Sequence, residues 1–320
     1  MRALVTGAAG FIGSHLAERL IKDGFEVVGI DCFTDYYQKD IKEKNISGII
    51  NNDRFKLIKE NLLTADLKRI LDKIDFVFHE AAQPGVRSSW GKTFSIYTED
   101  NILSTQRLLE SLKDNKDLPA DKQVKKLVFA SSSSVYGDAE KLPTKESFTP
   151  KPVSPYGVTK LAAENLCYLY SKNYGIPIIS LRYFSVYGPR QRPDMAFNRF
   201  IRSIIAGKDI TIYGNGKQTR DFTYISDIIE ANIKVLNCKS SSGEVFNVGG
   251  GSRISVNATI KILEDLSGKK GKVKYIESQK GDVAHTSADI SKAYSTFGYT
   301  PKVDIKAGLE SEYEWIKRQE

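Results

Sequence analysis

Cysteine, histidine and long apolar stretches are all in short supply in this chain of 320 residues. Cys32, Cys167 and Cys238 are few, odd in number and scattered. That argues against a disulfide framework or a zinc knuckle, and it suits a reducing, cytoplasmic setting. His15, His79 and His285 are far apart and show no metal-ligand spacing, so no metal is expected. His15, on a helix pattern, reads as a packing or capping residue. No apolar run approaches a membrane span, and the first residues go directly into a strand pattern. Neither a membrane anchor nor a secretory signal is expected. Internal repeats and low-complexity segments are absent as well.

Excess positive charge is present, with a formal net charge of +8, but it is not gathered into a stripe. Lysines alternate with acids, as in Lys39-Asp40-Ile41-Lys42-Glu43-Lys44, and no stacking aromatics are interleaved with them. A solvated face is the better reading than a nucleic-acid surface. An anionic small substrate would also suit a basic protein. Hydrophobic residues make up 41%, enough for a real core.

What is there begins at the N-terminus. The apolar run Arg2-Ala3-Leu4-Val5-Thr6 reads as a strand. Gly7-Ala8-Ala9-Gly10-Phe11-Ile12-Gly13 follows, and then Ser14 to Ile21 with apolar residues at helical spacing. Strand, glycine turn and helix together form the context of a dinucleotide site. The glycines permit a tight turn and let the backbone approach a pyrophosphate. The helix start at Phe11, Ile12 and Gly13 presents free N–H groups to the phosphates. A second strand, Glu26 to Ile30, ends at Asp31, placed to accept the hydroxyls of an adenine ribose. That carboxylate would repel a 2′-phosphate, so NAD is favoured over NADP.

Tyr156 and Lys160 lie four residues apart in a helical stretch, on one face. A phenol, with a normal pKa of about 10, becomes a useful base near neutrality only beside positive charge. Lys160 can supply that charge, and an oxidised nicotinamide would add more.

Further strands are expected at 55–58, 75–79, 125–130 and 176–182, with helices over Ser95 to Leu112 and Tyr156 to Asn173. Such alternation predicts an α/β fold, a doubly wound parallel sheet of Rossmann type covered by helices. Beyond Gly188 the loop Pro189-Arg190-Gln191-Arg192-Pro193-Asp194 opens a region of short elements. A strand-like return at 243–249 is expected to rejoin the sheet. The reading is therefore an NAD-binding unit, 1–187 plus 222–249, and a discontinuous nucleotide-sugar-binding lobe, 188–221 and 250–320.

These residues resemble the extended short-chain dehydrogenase/reductase family of nucleotide-sugar epimerases and dehydratases over nearly the whole chain. The resemblance is carried by the glycine turn, Asp31, His79-Glu80-Ala81-Ala82, Ser131-Ser132-Ser133-Ser134-Val135-Tyr136-Gly137, Tyr156 with Lys160, the run from Arg182 to Pro189, and the run from Arg220 to Asp227. Within the family, Gly85-Val86-Arg87-Ser88-Ser89-Trp90 and the stretch from Gly188 to Ala196 look most like UDP-glucuronate 4-epimerases.

The resemblance implies roles. Tyr156 is the base, Lys160 lowers its pKa and holds the nicotinamide ribose, and Ser132 hydrogen-bonds the reacting sugar hydroxyl. Ala81 and Ala82 line the cofactor. Asn61 and Leu62 stand where relatives often carry Asp-Leu near the adenine, which alters that contact. Arg220 meets a UDP-sugar's diphosphate and Asp282 its uridine ribose. Transient oxidation at the sugar's C4, with hydride returned to the other face, inverts that centre. Relatives that dehydrate or decarboxylate place acidic residues before Val135-Tyr136-Gly137, whereas this chain has Ser133 and Ser134. Without a carboxyl there, elimination lacks its acid–base pair. Hydroxyls of Ser133, Ser134 and Ser185 could hold a sugar carboxylate, with Arg192 as a longer-range positive partner. Arg87 is either a second such partner or half of a loop salt bridge. UDP-glucose and UDP-N-acetylglucosamine epimerisation, decarboxylation and non-catalytic NAD binding stay open as alternatives. The helix from Tyr156 carries two apolar stripes, Val158-Ala162-Leu166-Leu169 and Ala163-Cys167-Tyr170-Tyr174. Relatives pair this helix and the preceding one across a dimer, so a homodimer is expected.

Overall fold

A computed structural model of the chain describes residues 1–238 and 242–320. Its strands are β1 Arg2–Thr6, β2 Glu26–Ile30, β3 Phe55–Ile58, β4 Phe76–His79, β5 Lys126–Ser132, β6 Ile178–Tyr183, β7 Val186–Tyr187, β8 Asp209–Tyr213, β9 Thr219–Asp221, β10 Thr223–Tyr224, β11 Ser242–Val248, β12 Arg253–Ser255 and β13 Lys272–Ile276. Seven of them form one parallel sheet in the order β11-β6-β5-β4-β1-β2-β3. The inner strands β1 and β4 are buried on both faces because helices cover both sides. Val5, Phe78 and Leu181 pack with Leu16 and Ile228 in one buried cluster. Leu4, Val77 and Leu127 pack with Leu108, Leu112 and Cys167 in another. The sheet order reverses between β1 and β4, which opens a crevice at the carboxyl ends of the strands.

The strand ends differ from the sequence reading by a residue or two. The largest extension is β5, which continues through Ser131 and Ser132 because both still pair with β6, at Arg182 and Tyr183. The expected helix from Ser95 is not continuous. Helical turns at Phe94–Tyr97 and Ser104–Asn115 flank a π-helical stretch, Thr98–Leu103. The wider turn brings Asn101 inward, where it hydrogen-bonds the Gln83 backbone and Thr159.

Residues after β7 build short sheets of their own. Strands β8 and β13 pair in parallel, and β9 pairs with β12 antiparallel. Helices Ala196–Ile205, Val256–Ser267 and Ile305–Lys317 enclose a separate core that includes Ile201, Ile210, Leu263 and Leu309. β11 leaves this region and lies beside β6 as the edge strand of the large sheet. No helix among the described residues is long and apolar enough to cross a membrane.

Candidate active site

The glycine turn sets one wall. Gly7 has a φ of +67°, and a Cβ on Gly13 would lie 2.2 Å from the Gly7 carbonyl oxygen. Both positions therefore need glycine, for backbone conformation and for close packing respectively. Helix Phe11–Lys22 starts after Gly10, and no side chain caps its first turn. Its amide groups are thus available to an anion, which fits a dinucleotide pyrophosphate. Asp31 is fixed by the amides of Ala9 (3.1 Å) and Phe33 (2.8 Å), and Lys42 stands 3.7 Å away.

A relay of hydrogen bonds fixes the next wall. Thr6 accepts from the Ala81 amide at 3.0 Å and bonds His79 Nδ1 at 2.8 Å. His79 Nε2 bonds Thr105 at 3.0 Å. Burial, then the charge of Lys160, push the His79 pKa down to about 3, so the ring stays neutral.

Helix Pro155–Tyr174 brings in the Tyr156 and Lys160 pair. Ser154 caps it by accepting from the Gly157 amide at 3.1 Å, proline occupies its first turn, and Gly175 closes it at a φ of +64°. A Cβ on Gly157 would lie 2.5 Å from the Ser134 carbonyl, so the first turn packs directly on the serine run. Deeper in the helix, Glu164 receives hydrogen bonds from Ser131 (2.6 Å) and from two nitrogens of Arg182 (3.0 and 2.5 Å). This buried ion pair locks the helix to β5 and β6.

Every residue expected at the cofactor lines one cleft: the glycine turn with Phe11 and Ile12, Asp31, Asn61 and Leu62, Ala81 and Ala82, and Tyr156 with Lys160. Burial raises the Tyr156 pKa, and a hydrogen bond with Ser132 and the charge of Arg192 oppose it. Burial lowers Lys160 to about 8, while Glu80 pulls it back up. The phenol is therefore not pre-ionised; its activation needs further positive charge in the cleft.

The expected sugar-nucleotide residues are more dispersed. Arg192 lines the cleft, but its guanidinium is bound to Asp194 through two nitrogens, at 3.0 and 3.1 Å. Ser133, Ser134 and Ser185 are half-buried and lie off the cofactor cleft. Arg87 pairs with Asp282 at 2.7 Å and stacks on Tyr213 at 3.8 Å. Arg220 donates to the carbonyls of Thr219, Val283 and Ala284.

Several lining residues carried no site assignment in the sequence reading. Tyr36, Tyr37 and Lys42 come from a loop and helix after β2 with no motif to mark them. Glu80 lay inside a recognised motif, yet its neighbours Lys160 and Tyr183 are remote in sequence.

Residues 3–249 match the NAD dependent epimerase/dehydratase family. An uncharacterized UDP-glucose epimerase, YtcB, of Bacillus subtilis (strain 168) is 47% identical over 317 residues, 99% of this chain and 98% of that protein. A UDP-glucuronate 4-epimerase of Thermodesulfobacterium geofontis (strain OPF15) is 42% identical, covering 98% of this chain and 95% of the relative. The crystal structure of UDP-glucuronic acid 4-epimerase from Bacillus cereus, in complex with UDP-glucuronic acid and NAD, superposes with a TM-score of 0.95 at 47% identity over 100% of both chains.

Proposed function

Because the chain belongs to the NAD dependent epimerase/dehydratase family, we propose that it is an NAD-dependent UDP-sugar 4-epimerase acting on UDP-glucuronate to give UDP-galacturonate. The observation that carries the reading is Tyr156 lining, with the buried Lys160, the cleft that the glycine turn opens. In this reading residues 1–187 and 222–249 hold NAD, and 188–221 with 250–320 hold the nucleotide sugar. Residues 239–241 of that span lie outside the described structure.

NAD, when bound, supplies hydride chemistry at the sugar's C4. Tyr156 takes the proton of the 4-hydroxyl, and Ser132 holds that hydroxyl in line. Lys160 holds the nicotinamide ribose and adds the positive charge that makes the phenol acidic. Tyr156 would return the proton to the sugar oxygen once the carbon has been reduced on its other face. Arg220 and Asp282 serve the diphosphate and uridine ribose by exchanging their present partners for the ligand. The serine run presents no carboxyl for elimination. Ser133, Ser134 and Ser185 would hold the uronate carboxylate through charge-assisted hydrogen bonds, with Arg87 and Arg192 as positive neighbours. A 4-keto uronate is a β-keto acid, and fixing its carboxylate out of the perpendicular geometry protects it from losing CO₂.

One observation favours a second reading, a UDP-glucose 4-epimerase. Arg192 already holds Asp194 through two nitrogens, so a sugar carboxylate would have to compete for it. Separate incubation with UDP-glucuronate, UDP-glucose and UDP-N-acetylglucosamine, with analysis of sugars and CO₂, decides between them. Preference for a neutral hexose would overturn the uronate assignment.

The same reading takes the enzyme to be a cytoplasmic homodimer. Its three cysteines are free. On helix Pro155–Tyr174, Ala163, Cys167 and Tyr170 of one stripe are buried but its Tyr174 is 48% exposed, and Val158 and Leu169 of the other are 47% and 49% exposed. Ile96 and Leu103 of the preceding helical segment are exposed as well, which supports a partner helix pair. Light scattering with a Leu169→Glu variant tests this.

A further inference from the structure

Glu80 follows β4 directly and lines the cofactor cleft together with Tyr156, Lys160 and Tyr183. No step above uses it. Glu80 is half-buried at the cleft wall, where a carboxyl loses part of its hydration and its charge needs compensation. Tyr183 donates one hydrogen bond to its Oε1 at 2.9 Å, and Asn232 braces that phenol at 2.8 Å. The charge of the Lys160 ammonium also acts on it. Burial outweighs both, and the Glu80 pKa is pushed up to about 7. The carboxyl is therefore poised between its two forms near neutral pH.

Whatever cation enters the cleft shifts that balance, because Coulomb interactions are strong where water is excluded. The oxidised nicotinamide ring is a cation and the reduced ring is neutral. We propose that Glu80 is a charge-compensating group of the cleft: its carboxyl releases a proton to solvent when NAD⁺ binds and keeps it when NADH binds. Only the carboxyl O–H bond breaks, and no electron moves. Glu80 thereby favours the oxidised cofactor and limits the lifetime of an oxidised sugar. This rests on the cleft being the NAD site.

Other groups around it titrate elsewhere. Lys160 lies near 8, Tyr156 and Tyr183 are raised above the ordinary phenol, Cys167 is raised far out of range, and His79 is held down near 3. Glu164 is bound by Arg182 and Ser131. Asp100 and Cys32 line the same cleft, and burial raises the pKa of each, so a step between pH 6 and 7.5 is assigned to Glu80 by its loss in Glu80→Gln.

Calorimetry on the cofactor-free protein, in two buffers of different ionisation heat, counts the protons released. NAD⁺ affinity should rise about five- to tenfold from pH 6 to pH 7.5 by linkage, with proton release near neutrality, while NADH affinity shows no such rise. Glu80→Gln keeps an acceptor for Tyr183 and should remove the step below pH 7.5, leaving only the Lys160 contribution above it. Parallel pH responses for NAD⁺ and NADH in the wild type overturn the proposal without any variant. An unchanged NAD⁺ step in Glu80→Gln overturns it equally. Failure of both cofactor forms to bind overturns the NAD reading of the cleft, and the proposal with it.

Discussion

Around the expected cofactor, the groups that carry chemistry are braced by buried partners; around the expected nucleotide sugar, they are engaged by half-exposed ones. Glu164 and Arg182, which anchor the Tyr156 helix, are 4% and 5% exposed, whereas Arg87 and Asp282 are 42% and 28% exposed. The first set cannot exchange partners without leaving a buried charge alone. The second can give up its ion pair to water or ligand at small cost. A reaction centre gains from being fixed before substrate arrives. A binding lobe gains from contacts that a ligand can replace, and Arg220, resting on three backbone carbonyls, has that character.

The comparison can be broken hardest at its centre. Tyr156→Phe should reduce turnover roughly 10²- to 10⁴-fold while calorimetric UDP-sugar binding stays nearly intact, since only the proton acceptor is lost. A substantial residual rate would mean another base. Arg182→Met leaves Glu164 buried and uncompensated, and urea denaturation should show a loss of roughly 3–5 kcal/mol. A small loss would mean that the two halves are braced alike.

His15 lies at the seam, with Nε2 2.9 Å from the Pro189 carbonyl. Burial and Arg190 lower its pKa to about 4, below its unfolded value. As pH falls the unfolded chain takes the proton first, so this contribution is complete above the unfolded pKa and lost as pH falls toward the folded one. By linkage, wild type should lose roughly 1–2 kcal/mol relative to His15→Gln between pH 7 and pH 5. Comparing the two proteins cancels Glu80 and Asp221, whose raised pKa values act in the opposite direction.

On the sugar side the effects shrink. Ser133→Ala or Ser185→Ala should cost about tenfold in UDP-glucuronate turnover, roughly 1.4 kcal/mol, and spare UDP-glucose. Added CO₂ release would show the carboxylate loosened; equal loss on both sugars would remove these residues from carboxylate binding. Arg87→Ala should change folding stability by less than about 1 kcal/mol while raising the KM for the UDP-sugar.

The legible parts of this molecule were those whose signals are local. The glycine turn, Asp31 and the strand runs declare themselves within a few residues, because turn and strand chemistry are short-range. Tyr156 and Lys160 shared a helix face by spacing, but that pair gained weight only beside the glycine turn and the other motifs of the chain. Asn101 was hidden because its inward position depends on a π-helical turn that apolar periodicity does not encode. Glu80 was seen as part of a motif but not as a charge, since its partners lie on helix Pro155–Tyr174 and on β6. The ion pairing of Arg192 with Asp194 follows from loop shape, which composition does not specify.

β11 has a bearing on how the molecule comes off the ribosome. The large sheet is built from residues 2–183 except for one edge strand, which the chain delivers only at Ser242–Val248 after building part of the other lobe. Until then β6 presents an unpaired parallel edge, a template for the wrong partner. A nascent or truncated chain ending near residue 190 would hold nearly all the cofactor residues and still lack a finished sheet. The unit that reads as a domain in space is therefore not an early folding unit in time, and a chaperone holding the β6 edge would have work to do through the synthesis of roughly sixty more residues.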